Sequence, residues 1–251
     1  MTERLDGKRA LVCGATQGIG WATARALSAA GAEVVLLARN EEKLRECARE
    51  IGAQWLVADF FRPETVRAAA AALPLPIHIL VNNTGGPPSG PITAAEENDF
   101  VGAFRAHVVN AQILASALLD GMKTSGYGRI VNIVSTSVYE PLSGLGVSNT
   151  TRAAMAGWAK TWAKETAPFG ITVNNVLPGA TDTVRLRTLI EAKARNAGLP
   201  VEEVRGAMLK EIPAGRFGSA EEIARAVLFF VASPYVTGVS LPVDGGRMAK
   251  I

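Results

Sequence analysis

The feature of this sequence that most constrains its fold is a repeated alternation between short apolar runs and longer amphipathic stretches. The apolar runs lack polar alternation, which indicates strands buried on both faces of a sheet; they cover residues 9–13, 33–38, 54–58, 77–81, 129–134, 172–177 and 239–243. The stretches between them have helical periodicity and cover residues 18–30, 41–51, 63–72, 98–123, 151–167 and 220–232. Such alternation predicts an α/β fold, a doubly wound parallel sheet of about seven strands with helices on both faces.

The chain length suits one undivided domain over residues 1–251. One stretch, at about 183–213, breaks the rhythm because it is helical in composition but lies between two strand units. A helical excursion beside the strand ends predicts a lid over the ligand site, with an ordinary surface insertion as the alternative.

Composition narrows the function classes. Apolar residues make up 48% of the chain, and the net charge of +3 comes from interspersed charges, which argues against a nucleic-acid platform. Cys13 and Cys47 form neither a disulfide framework nor a zinc spacing, so we predict no metal site and a reduced, cytoplasmic setting. The N-terminus lacks a leader pattern, and no apolar run has the roughly 18 residues of a membrane span, so no membrane partner is expected.

A glycine-rich turn follows the first predicted strand and opens the first predicted helix. In such a turn Gly14 permits the tight bend, Gly18 lets the backbone approach a pyrophosphate, and Gly20 lets the helix pack on the strand. Amides at the helix N-terminus would then face the phosphates, and the segment also contains the predicted cofactor contacts Thr16, Gln17 and Ile19. The alternative is a tight turn without a ligand.

The second predicted strand ends at Arg39, about 20 residues beyond Gly20. A site specific for NAD has an acidic side chain here for the ribose 2′-hydroxyl, whereas an arginine can pair with a 2′-phosphate. Arg39 therefore predicts that NADP(H) is preferred over NAD(H), with a solvated surface arginine as the alternative.

These motifs occur in the order found in the short-chain dehydrogenase/reductase family. Besides the glycine-rich turn, the matching segments are Ala58-Asp59-Phe60, Asn82-Asn83-Thr84-Gly85, Pro178-Gly179-Ala180-Thr181-Asp182-Thr183, Gly238 and Asp244-Gly245-Gly246. The sequence most resembles the 3-oxoacyl-acyl-carrier-protein-reductase-like members. The resemblance covers nearly the whole chain and implies a Rossmann-type fold; it also implies that the cofactor is contacted by Asp59, Phe60, Asn83, Gly85, Pro178, Gly179, Thr181 and Thr183.

The catalytic positions depart from the family pattern. The resemblance implies an Asn, a Ser, a Tyr and a Lys, in which Lys lowers the pKa of the Tyr proton donor and holds the nicotinamide ribose. Ser135 matches the family Ser, but the register of Tyr-x-x-x-Lys falls on Ser148 and Arg152, and the Asn position falls on His107, with Asn110 as the fallback. A serine hydroxyl is a far weaker acid than a phenol, and an arginine keeps its charge but does not transfer protons near neutrality.

Two side chains are candidates for the missing proton donor. Tyr139 lies four residues after Ser135 and can present a phenol, or can simply form part of the pocket wall. His107 is expected to titrate near neutral pH and to feed a water or a hydroxyl, or alternatively to be a packed residue.

Two functions remain open from the sequence. The first is an NADP-dependent oxidoreductase that transfers hydride within a carbonyl/alcohol pair of a small-molecule substrate through an atypical site. The second is a non-catalytic NADP(H) sensor or an inactive partner subunit. The resemblance also implies a homodimer or homotetramer that associates through the helices at 98–123 and 151–167.

Overall fold

The computed structural model describes residues 4–249. Seven strands form one parallel sheet in the order β3-β2-β1-β4-β5-β6-β7, which confirms the predicted doubly wound architecture. The strands are β1 (Arg9–Cys13), β2 (Glu33–Ala38), β3 (Gln54–Val57), β4 (Ile79–Asn82), β5 (Gly128–Ile133), β6 (Ile171–Pro178) and β7 (Ser240–Val243). The strand order reverses between β1 and β4, so the carboxyl ends of these two strands border the crevice where such sheets bind ligands.

Helices cover both faces of the sheet. They are α1 (Gly18–Ala29), α2 (Glu41–Ile51), α3 (Pro63–Ala71), α4 (Glu97–Phe104), α5 (Asn110–Ser125), α6 (Gly146–Thr166), α7 (Val184–Ala197), α8 (Val201–Lys210) and α9 (Ala220–Ala232). Successive residues of β1 enter opposite cores, because Ala10 and Val12 pack with α1, α2 and α9 whereas Leu11 and Cys13 pack with α3, α5 and α6. Burial on both faces explains the uninterrupted apolar runs.

Two helices differ from their predicted form. The expected helix at 98–123 is divided by a π-helical segment, Arg105–Val109, and π-segments are frequent at functional sites. Helix α6 begins at Gly146, five residues before its predicted start, so that Ser148 and Arg152 both lie on it. The 183–213 stretch forms α7 and α8, and its action as a lid stays a prediction.

None of the helices within residues 4–249 combines the length and the apolar character required to cross a bilayer.

A ladder of three side-chain amides and one hydroxyl crosses four strands, from the last residue of β4 to the first residue of β7. Asn82 on β4 donates to Asn132 on β5 at 2.8 Å, Asn132 donates to Asn175 on β6 at 2.8 Å, and Asn175 donates to the Ser240 hydroxyl on β7 at 3.0 Å. The residues are register partners, so each bond follows directly from the strand pairing. Because Asn132 and Asn175 are each 1% exposed, the ladder satisfies amides that water cannot reach.

We expect Asn132→Ala to lower the free energy of unfolding by about 2–4 kcal/mol, because it removes the partner of buried Asn175 and of half-buried Asn82. The control is Ser240→Ala, which removes a single bond at the half-buried end of the ladder and is expected to cost less than about 1.5 kcal/mol. Urea unfolding followed by circular dichroism measures both, and equal losses would contradict this account of the ladder.

Candidate active site

The turn between β1 and α1 has the close approaches expected of its glycines. Gly14 and Gly18 have φ angles of +59° and +54°, a region that side-chain-bearing residues rarely adopt. A Cβ atom at Gly14 would lie 2.7 Å from the side-chain nitrogen of Asn83, and one at Gly20 would collide with the Gly14 carbonyl. Positions 14 and 20 therefore leave no space for a side chain.

The N-terminus of α1 is open to an anion. Its N-cap residue, Gln17, makes no capping hydrogen bond through its side chain, and the first turn, which contains Ile19, holds no acidic residue. Thr16 precedes this cap, and its carbonyl accepts a contact from the Cys47 thiol at 3.9 Å. Uncapped amides beside a glycine cradle fit the pyrophosphate of a nicotinamide dinucleotide.

Arg39 lies exposed at the end of β2, and within the described part of the chain it forms no ion pair. The next residue, Asn40, caps α2 by accepting a hydrogen bond from the Lys43 amide at 2.9 Å. The cap fixes the backbone at the start of α2, and the exposed guanidinium of Arg39 leaves its charge available to a phosphate.

The loops after β3 and β4 form the walls of a cleft at the strand ends. The Asp59 carboxylate accepts from the Phe61 amide at 3.0 Å, while the Phe60 carbonyl accepts from Asn110 at 2.6 Å and Phe60 lines the cleft. Asn83 lines it as well, and its amide donates to the carbonyls of Cys13 and Gly14 at 3.2 and 3.4 Å. Burial raises the pKa of the Cys13 thiol to about 12, which removes it from thiolate chemistry.

The turn after β6 closes the opposite side of the crevice. It begins at Pro178, the last residue of β6, and Gly179 passes so close to β7 that a Cβ there would lie 2.7 Å from the Cα of Asp244. Thr181 donates to the Gly179 carbonyl at 3.1 Å. Thr183 caps α7, and its methyl group is 3.3 Å from where a Gly18 Cβ would stand, so the turn meets the glycine cradle.

Three of the predicted catalytic residues belong to β5 and α6. Ser135 follows β5, and its hydroxyl accepts from the Ser137 amide at 3.1 Å. Ser148 lies in the first turn of α6, and Arg152 lies one turn later. The guanidinium Nη1 of Arg152 donates to the Ile133 carbonyl at 2.8 Å, a contact that joins α6 to the end of β5 two residues before Ser135.

Arg152 is half-buried, and its Nε atom is enclosed without a hydrogen-bond partner among the described residues. Burial, with a smaller contribution from the charge of Arg185, lowers the pKa of Arg152 to about 10. The guanidinium therefore keeps its charge at neutral pH, although it lies in surroundings that penalise that charge.

His107 lies on the π-helical segment and is 6% exposed. Burial lowers its pKa well below the usual value, and the nearby charge of Arg152 lowers it further, while a backbone contact with Gly85 acts weakly in the opposite direction. This corrects the expectation that His107 titrates near neutral pH, since the imidazole is neutral there. Its Nε2 atom is buried without a partner in the described structure, so it can hydrogen-bond to a ligand in the cleft.

The Tyr139 phenol points away from the end of β5. Its hydroxyl donates to the Ser240 carbonyl at 3.0 Å, and the side chain is 56% exposed. To deliver a proton to the cleft, Tyr139 would have to break this hydrogen bond. The observed geometry therefore agrees better with the alternative that Tyr139 forms part of the pocket wall.

Sequence reasoning did not single out Arg185, in the first turn of α7. Its Nη2 atom donates to the Pro87 carbonyl at 2.9 Å, at the loop that continues from Gly85. The sequence held one signal for Arg185, which is its position two residues after the predicted cofactor contact Thr183. Its proximity to Arg152 is visible only in the folded chain. Among residues 4–249 no group of three or more His, Cys, Asp and Glu side chains is arranged to hold a metal ion.

Comparisons with known proteins agree with this geometry. A family model described as enoyl-(acyl carrier protein) reductase matches residues 14–247. The 3-oxoacyl-acyl-carrier-protein reductase of Vibrio cholerae is 33% identical over 252 aligned residues, which cover 96% of this chain and 98% of the relative.

Solved structures resemble the chain over nearly its full length. YwfH, an NADPH-dependent reductase involved in bacilysin biosynthesis, superposes with a TM-score of 0.91 at 26% identity, covering 97% of this chain and 99% of that one. L-Sorbose reductase from Gluconobacter frateurii, complexed with NADPH and L-sorbose, gives 0.91 at 29% identity and covers 100% of both chains. The match to the family model, the matched relatives and the crevice at the β1–β4 reversal have one explanation: the chain belongs to the short-chain dehydrogenase/reductase family of NAD(P)-dependent oxidoreductases.

Proposed function

We propose that the chain is an NADP-dependent oxidoreductase that interconverts a carbonyl and an alcohol on a small molecule, with Ser148 and Arg152 in the positions that hold Tyr and Lys elsewhere in the family. The observation that carries the proposal is the hydrogen bond between Arg152 and the Ile133 carbonyl, because it joins the α6 residues to the strand end that bears Ser135. The named relatives act on 3-oxoacyl groups and on sugars, so the proposal stops at the carbonyl/alcohol class.

The predicted cofactor contacts divide into five groups. The glycine-rich turn and the α1 amides bind the pyrophosphate, Arg39 binds the 2′-phosphate, and the strand-end loops with Asp59, Phe60, Asn83 and Gly85 bind the nucleoside portions. The turn at 178–183 contacts the nicotinamide end, and Arg152 binds the nicotinamide ribose through the donors that Ile133 leaves free. Bound NADPH supplies the hydride that reduces the substrate carbon.

The substrate oxygen is held by hydroxyl groups rather than protonated directly by one. Ser135 and Ser148 donate hydrogen bonds to it, while the nearby positive charge of Arg152 stabilises the negative charge that develops on that oxygen. A serine hydroxyl has too high a pKa to give up its own proton near neutrality, so the proton must arrive from another group.

His107 is favoured over Tyr139 as that group. Its buried Nε2 atom has no partner in the described structure, whereas the Tyr139 hydroxyl is occupied by Ser240. A neutral imidazole can accept a proton at one nitrogen and donate one from the other, so a low pKa does not prevent it from relaying a proton.

The remaining proposals concern the whole assembly. We propose that residues 1–251 form one domain, that α7 and α8 act as a lid, and that the protein forms a homodimer or homotetramer through α5 and α6. On that surface Trp158 and Trp162 both donate to the Gln112 side chain at 2.9 Å, a rigid aromatic cluster of the kind that suits subunit packing.

The cofactor preference is tested with Arg39→Ala. We expect NADP(H) binding to weaken by about 1–3 kcal/mol, because one charged hydrogen-bonding group to the 2′-phosphate is lost, and NAD(H) binding to stay unchanged. Calorimetry at fixed salt measures both. Arg49→Ala, in the last turn of α2, makes the same change in net charge and should leave both affinities unaltered. Equal affinity of the wild type for NADP(H) and NAD(H) would refute the assignment of Arg39.

The atypical pair is tested by restoring the family residues. Ser148→Tyr with Arg152→Lys should raise the rate of NADPH oxidation on a panel of simple ketones by about 10²–10⁴-fold, the usual contribution of a positioned general acid. Arg152→Lys alone is the control and should give no such gain. A folded, NADPH-binding double variant that gains nothing would show that the missing phenol does not limit the rate. If the wild type is also inactive on every ketone, the non-catalytic alternative is favoured.

The proton route is tested with His107→Asn and Tyr139→Phe. We expect His107→Asn to lower turnover at least about tenfold with unchanged NADPH affinity, and Tyr139→Phe to have little effect. Because burial keeps the His107 pKa well below its usual value, the wild-type rate should show no His107 inflection between about pH 6.5 and 8. A large loss in Tyr139→Phe, or a His-dependent inflection near pH 7, would overturn this route.

A further inference from the structure

Two arginine side chains converge on Gly86, in the loop that follows β4. Measured from the position that a Cβ atom at Gly86 would occupy, the Nη2 atom of Arg185 is 3.5 Å away and that of Arg152 is 3.8 Å away. Arg152 comes from α6 and Arg185 from α7, so two separate elements bring positive charge to the same loop. Two guanidinium groups repel each other, so their proximity lowers the stability of the folded chain.

Among the described residues, no acidic side chain pairs with either arginine to offset the repulsion. Within residues 4–249 neither Arg152 nor Arg185 forms an ion pair, and their contacts are the backbone carbonyls of Ile133 and Pro87. Arg187, two residues after Arg185 on the same helix, instead pairs with Asp182 at 3.1 Å. The helix thus neutralises one arginine and leaves the one beside the cleft unneutralised.

The enclosed Nε atom of Arg152 is a second, independent observation. It is buried, and it has no hydrogen-bond partner among the described residues. A buried donor on a charged group is costly to leave unsatisfied, so a polar ligand is expected to complete the site. Since the groups that meet at Gly86 are all donors, that ligand must offer acceptors.

We propose that the substrate carries a carboxylate, and that Arg185 binds it beside the reacting carbonyl while Arg152 lies between the carboxylate and the nicotinamide ribose. A guanidinium matches a carboxylate with two parallel hydrogen bonds, which orients the substrate as well as attracting it. Arg185 also lies in the first turn of α7, where the helix dipole favours an anion. This inference rests on the proposed function, because it assigns a substrate class to the same cleft.

The cofactor's pyrophosphate is the other anion that can reach this crevice. The glycine-rich turn and the uncapped α1 amides already form a cradle for it, whereas Arg185 lies at the loop that follows Asn83 and Gly85, next to the groups proposed to act on the substrate. The position of Arg185 therefore favours the substrate, and the experiment must separate the two sources of negative charge.

The test measures binding to the NADP⁺-loaded protein by calorimetry, because the oxidised cofactor cannot reduce a ketone probe. The probes are levulinate, acetoacetate and benzoate, each compared with its methyl ester, which keeps the shape and removes the charge. We expect at least one carboxylate to bind the wild type about ten- to a hundredfold more tightly than its ester, and Arg185→Gln to abolish that difference. Arg187→Gln is the matched control and should preserve it, because Arg187 is occupied by Asp182.

The affinity for NADPH, measured in the same three proteins, distinguishes the sources. Unchanged NADPH affinity in Arg185→Gln is expected. A loss of NADPH affinity in that variant would assign Arg185 to the cofactor phosphates and overturn the proposal, as would a wild type that prefers no carboxylate over its ester. If the wild type does not bind NADPH, the proposed function fails instead. The carboxylates are then titrated into the cofactor-free protein, and the same dependence on Arg185 is expected. That titration decides the carboxylate proposal separately from the proposed function.

Discussion

The site depends on the contact between the first turn and the end of β4. Asn83 donates its side-chain amide to the carbonyls of Cys13 and Gly14, and this links the two strands just beyond the point where their ladder ends. The link requires glycine at positions 14 and 20, because a Cβ atom at either would meet Asn83 or the Gly14 carbonyl. By holding the crevice at the β1–β4 reversal narrow, it directs the α1 amides and the strand-end loops to one volume.

The electrostatics of the cleft depend on burial and on Arg152, which we propose to stand where the family has lysine. The family's lysine is flexible and can be deprotonated, but Arg152 is planar and stays charged even with its pKa lowered to about 10. Burial, reinforced by this positive charge, keeps the imidazole of His107 neutral, and the same charge repels the guanidinium of Arg185. The cleft therefore has an excess of hydrogen-bond donors and of positive charge.

The sequence predicted the sheet well because buried parallel strands and a glycine-rich turn have local signatures. The apolar runs at β1 and β2 agree with the observed strands residue for residue, and the positive φ angles of Gly14 and Gly18 follow from their place in the turn. The turn that Tyr139 makes toward β7 has no such signature, because a hydrogen bond to Ser240 joins residues about a hundred positions apart. The meeting of Arg185 with Arg152 is equally non-local.

The π-helical segment and the low pKa of His107 were missed for a related reason. A one-residue widening of a helix leaves the apolar periodicity of residues 98–123 nearly unchanged, yet it alters which side chains face the cleft. The pKa of His107 depends on burial and on the charge of Arg152, neither of which is encoded near position 107. A local sequence pattern therefore cannot reveal the electrostatic state of the cleft. In the proposed mechanism that state separates two roles for positive charge: Arg152 would stabilise negative charge where it develops during reaction, whereas Arg185 would attract an anion before the reaction begins.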